Sequence, residues 1–94
     1  MDYEARLLNW QEAFKCAEDN ITIGVALKVK GMAVLNTIET DRVAGKLKEI
    51  EVKDLAALIS SATQAIKEGV KLEADSREKR TNLLFDKPLR AGGA

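Results

Sequence analysis

Between Leu55 and Leu72 the apolar residues fall at steps of three and four: Leu55, Leu58, Ile59, Ala62, Ala65, Ile66, Gly69, Val70, Leu72. That spacing draws one apolar stripe down a helix of 3.6 residues per turn. A second long amphipathic pattern precedes it. Tyr3, Leu7, Trp10, Phe14, Ala17 and Ile21 alternate steps of four and three, the recurrence of a seam packed against another helix. Beyond Ile21 the stripe is read through Val25, Val29 and Met32, with Leu35 and Ile38 close to it. The fold expected is all-α: a long antiparallel helical hairpin over residues 1–85 that oligomerises into a bundle or ring. Residues 86–94, ending in Ala91-Gly92-Gly93-Ala94, read as a flexible tail beyond Pro88.

The helix boundaries follow from local chemistry. Asp2 can cap the first helix, and Glu4 in the first turn suits the helix dipole. Asp19-Asn20 followed by the β-branched Ile21-Thr22-Ile23 leaves two readings open, one helix from about residue 3 to 40 or a break near Asn20. Gly45 can take the left-handed conformation that ends a helix, with Lys46 and Lys48 beside it. Glu51 then stands as the N-cap of a second helix, with Asp54 in the first turn. Ile50 can pack on Leu55 as a hydrophobic staple. This second helix should reach Asp75 and can extend through Arg80 to Phe85.

Ninety-four residues suit one small domain. Two helices share one mutual seam, and small scaffolds of this kind seldom hold without a disulfide, a metal or a partner chain. A single cysteine, Cys16, forbids an internal disulfide, and no histidine is present for a Cys/His metal site. Oligomerisation is the remaining remedy. Gly24 and Gly31, seven apart, fall nearly on one face and read as a place where backbones of two copies approach closely. The expected packing and interface residues are Tyr3, Leu7, Trp10, Phe14, Ile21, Gly24, Val25, Gly31, Met32, Leu55, Leu58, Ile59, Ile66 and Val70.

The formal charge is zero but uneven: residues 2–19 carry a net −3 and residues 77–90 a net +3. A hairpin would bring these ends together. Without histidine, a general base would need a pocket-bound carboxylate or lysine, and no acidic pair stands on an apolar face. Cys16 lies beside the Phe14–Ala17 stripe and reads as a small buried hydrophobe. No enzyme activity, cofactor or metal is expected. Arg77, Lys79 and Arg80 form a basic cluster that could touch nucleic acid phosphates, though basic side chains at a helix end also satisfy the dipole. Leu83, Leu84 and Phe85, with Leu89 past Pro88, could close the bundle or dock on another protein. No apolar run approaches the roughly 20 residues of a membrane span, no signal peptide opens the chain, and the unpaired cysteine suits a reducing compartment. A cytoplasmic location, without membrane, is expected.

Leu27 to Ile38 as a long helix with small residues, the link around Gly45, and Val52-Lys53-Asp54-Leu55-Ala56-Ala57-Leu58 leading into Ala65-Ile66-Lys67-Glu68-Gly69-Val70-Lys71-Leu72 together resemble a known domain. It is the central oligomerisation domain of tailed-phage small terminase subunits, and the likeness covers roughly residues 5 to 75. The resemblance implies a hairpin packed into a ring whose inner helices line a channel. It implies partners too: further copies of the chain, double-stranded DNA, and the large terminase or portal, with residues 83–89 the candidate segment for the latter. Such subunits usually begin with a helix-turn-helix domain, for which nothing before Tyr3 is a match. A helical antagonist of a host protein and a structural virion component are the competing readings.

Overall fold

The computed structural model describes residues 2–49 and 52–89 and consists of two long helices. Helix α1 spans Tyr3–Val43, a single 3₁₀ turn covers Lys46–Glu49, and helix α2 spans Val52–Phe85. The hairpin measures 71 × 18 × 14 Å. Asp2, extended at φ −73°, starts α1: its Oδ1 accepts the Ala5 amide at 2.8 Å, satisfying one of the amides a helix N-terminus leaves unpaired. At the other end Gly45 adopts φ +74°, and its amide bonds back to the Arg42 carbonyl at 3.1 Å. The chain therefore stops and reverses where the sequence expects. The Glu51 cap and Ile50 staple lie outside the described residues, as do Arg90 and the Ala91–Ala94 tail.

Helix α1 runs unbroken through Asp19-Asn20, so the expected alternative of a kink is corrected. The Thr22 hydroxyl bonds the Glu18 carbonyl, which keeps that hydroxyl occupied within the helix. β-Branched residues lower helix propensity by only a few tenths of a kcal/mol each, too little to break a helix that packs along its whole length.

The seam between the helices is built from small residues. Ala17, Ile21, Gly24 and Gly31 of α1 are buried, and Ala62, Gly69 and Ser76 of α2 face them. Ala17, Gly24 and Gly31 are seven apart, and so are Ala62, Gly69 and Ser76. The two backbones come nearly into contact. A Cβ placed on Gly69 would lie 2.5 Å from the Gly24 carbonyl oxygen, and one on Gly24 only 2.7 Å from the Glu73 amide nitrogen. A Cβ on Gly31 would lie 2.6 Å from the Ala62 carbonyl oxygen.

Several expectations change here. The glycines serve close approach between the two helices of one chain, whereas close approach between copies was expected. The seam does not continue through Val25, Val29 and Met32. It keeps its four–three alternation through Gly24, Lys28, Gly31 and Leu35, leaving Val25 half-buried and Val29 and Met32 exposed. Leu58, Ile59 and Val70 are 40–48% exposed and stand outside the hairpin core. Tyr3, Leu7, Trp10, Phe14, Leu55 and Ile66 are half-buried along it. Cys16 is exposed and not a core residue, because it falls one step outside the Ala17 seam position. An 18-residue window of α1 reaches a mean hydropathy of 1.4, so by length and composition this helix could cross a membrane. Counting uninterrupted apolar runs hides that property, because Lys28 and Lys30 divide the run.

Candidate functional site

Three features of the hairpin carry polar or apolar chemistry beyond its seam. The first is an ion-pair network that bridges its two helices. Lys28 Nζ donates to Glu73 Oε1 at 2.9 Å across the helices, and Arg77 Nε donates to Glu73 Oε2 at 2.9 Å along α2. Both Lys28 and Glu73 occupy seam positions, one turn from Gly24 and Gly69. The Lys28 and then the Arg77 hydrogen bond hold the Glu73 carboxyl below its ordinary value. A second carboxyl, Glu39, is lowered by hydrogen bonding to Arg42 on the exposed surface near the turn.

The second feature closes the open end. Trp10 Nε1 donates to the Leu83 carbonyl at 2.6 Å in the last turn of α2, a carbonyl that also accepts the Asp86 amide at 3.2 Å. Phe14 stacks on Trp10 with ring centroids 5.0 Å apart, and Lys87 Nζ stands 5.3 Å from the indole centroid. Replacing Trp10 with Phe keeps most of the ring and deletes the donor. The expected loss is about 1 kcal/mol, the usual net worth of one hydrogen bond, read as a lower urea midpoint with unchanged helicity. Of the segment expected to meet a partner, Leu83 is half-buried, while Leu84, Phe85 and Leu89 are 56%, 85% and 82% exposed. Pro88 is half-buried.

The third feature is a pair of apolar flanks. Along one side runs a trough with two connected hollows of about 340 and 240 Å³. Leu27, Val34, Leu58 and Ala65 line the second, and Ile38, Leu47 and Leu55 line the first, nearer the turn. Its polar rim includes Lys30, Asp41 and Ser61. Leu27, Val34 and Ala65 each precede a seam position by one residue, and Leu58 lies seven residues before Ala65 on the same face. Val25, Val29, Met32 and Val70 each follow a seam position. Successive side chains turn by about 100° around a helix, so the two sets lie on opposite sides of the hairpin.

The basic cluster is not brought together. Arg77 follows the seam residue Ser76 and is engaged by Glu73, while Arg80 is half-buried in the seam line. Lys79 is exposed on the other flank. The three cations therefore straddle the seam and do not form one patch. Among the described residues no group of three His, Cys, Asp or Glu side chains is placed to hold a metal ion.

Lys28, Glu73, Leu27 and Val34 are absent from the residues expected from sequence. Extending the Tyr3–Ile21 alternation strictly through Gly24 would have found Lys28, and extending the Ala62–Ile66–Gly69 alternation by one step would have found Glu73.

No protein-family model matches the chain, and comparison with curated proteins and with solved structures brings up no match.

Proposed function

We propose that this chain is a non-catalytic, homo-oligomeric adaptor of viral DNA packaging, similar in role to a small terminase subunit. One observation carries the assembly half of this reading. The hairpin buries Ala17, Ile21 and Ala62 as its apolar core, no large side chain among the described residues is fully enclosed, and large apolar residues from Leu8 to Leu89 stay exposed. Burial contributes roughly 25 cal/mol per Å² of apolar surface, and alanines and glycines remove little of it. Copies of the same chain are the covering surface always present at matching concentration. The packaging half rests on the resemblance of residues 5 to 75 to the terminase oligomerisation domain. The exposed Leu84, Phe85 and Leu89 at the open end are the surface offered to a motor or portal.

Native mass spectrometry of the full chain tests the assembly: several copies are expected in one complex at micromolar concentration. A monomer with a cooperative thermal transition would overturn it. For the packaging role, duplex DNA should bind the assembled form with an affinity that falls steeply with salt, because phosphate contacts release counterions. Salt-independent binding, or none, would remove the DNA part and leave the assembly standing.

A further inference from the structure

The two apolar flanks differ in shape, and that difference decides how copies can meet. One flank is concave, the trough along Leu27, Val34, Leu58 and Ala65. The opposite flank carries Val29 and Met32, 56% and 50% exposed, beside the half-buried Val25 and the exposed Val70. We propose that the trough of one hairpin receives the Val29–Met32 ridge of a second copy lying alongside it in the same direction. The proposal rests on the self-assembly reading above and names the surfaces that carry it.

Area leaves room for two contacts per chain. The chain exposes 7119 Å², whereas a compact folded monomer of 10.3 kDa would expose about 5,350 Å². The excess, about 1,800 Å², reflects the elongated shape and is enough surface for two standard interfaces at roughly 800 Å² from each partner. A face-to-face dimer would cover only one of the two flanks. Joining unlike flanks covers both, and every copy then has one neighbour on each side.

Height along the rod fixes the direction. The trough and the ridge both draw on residues 25–34 of α1, so parallel neighbours set the apolar residues of both flanks at one height without any axial shift. Lys67 on the ridge flank and Lys30 on the trough rim are the charged groups at that level. An antiparallel neighbour would set the apolar trough against Lys15 and Glu18, which follow the seam positions Phe14 and Ala17 on the ridge flank. Uncompensated charge against an apolar trough is unfavourable.

The experiment uses two full-length variants, Leu58→Asp in the trough and Met32→Asp on the ridge. Both sites are about half-exposed, so the hairpin should keep its helicity by circular dichroism. Should either variant lose helicity, Ser61→Glu and Val29→Asp take their places. Native mass spectrometry should show each variant alone as a monomer. Mixed in equal amounts, they should form a species of two chains, one of each, because each supplies the flank the other lacks. If either variant alone stays dimeric, or if the mixture stays monomeric, the unlike-flank contact is wrong while assembly of the wild-type chain stands. A monomeric wild type would remove the assembly reading and this contact together.

Discussion

Gly69→Leu should open the hairpin. At Gly69 even a single added carbon meets the Gly24 carbonyl oxygen at 2.5 Å and the Lys28 amide nitrogen at 2.7 Å. Both obstacles are backbone, so no side chain can swing aside to relieve them. The helices must separate, and separation strips contacts along the whole seam. The smaller change, Gly69→Ala, sets two effects against each other. Alanine favours a helix interior over glycine by about 1 kcal/mol, while overpacking a well-fitted site costs typically about 1–3 kcal/mol. Steric cost should win, giving a net loss of up to about 2 kcal/mol by urea titration. Pairing it with Gly24→Ala should add less than the sum of the two, since one separation relieves both clashes. A higher urea midpoint for Gly69→Ala would show that the backbones are not in the contact described.

The same glycines explain what the sequence made legible and what it did not. Helix ends were readable because their chemistry is local: the Asp2 carboxylate reaches only three residues along, and Gly45 answers a backbone angle at its own position. Regular apolar spacing at Tyr3 through Ile21 fixed the first half of the α1 seam for the same reason. Past Ile21 the seam residues are Gly24, Lys28 and Gly31, and a pattern of large apolar residues drifts instead to Val25, Val29 and Met32. Glycine contributes to a seam by what it lacks, and hydrophobic periodicity does not register it. Lys28 is hidden in another way. A lysine reads as solvent-facing until its partner 45 residues away is known, and the Glu73 contact exists only in three dimensions. The misplaced stripe had value all the same: Leu58, Met32 and Val70, taken as core, stand on the flanks where a second copy can meet them. The basic run at Arg77–Arg80 misled through proximity in sequence, since neighbours along a helix point to different sides.

Lys28→Glu and Glu73→Lys should each cut stability sharply, and together they should restore most of it. Glu73 receives one cation on each oxygen, Lys28 on Oε1 and Arg77 on Oε2. Reversing Lys28 sets two carboxylates face to face in a seam whose backbones touch one turn away. Reversing Glu73 is the harsher change, because the new lysine meets both Lys28 and Arg77. The double reversal rebuilds the cross-helix pair but leaves two cations four residues apart on α2, so recovery should stop short of wild type. Adding Arg77→Glu to the double reversal should supply the missing balance. Acid provides an independent reading of the same carboxylate. Its folded-state pKa is depressed by its two cationic partners, so its contribution is fully present above the unfolded value near 4.5 and lost as pH falls through the lower folded value. Thermal midpoints of the wild type should therefore fall below about pH 4.5, and those of Glu73→Gln should fall less over that interval. Some acid dependence will persist in the variant, because Glu39 is held low by Arg42 and titrates in the same direction. An identical acid slope in wild type and Glu73→Gln, together with no rescue by the double reversal, would mean that the seam is registered by its small residues alone.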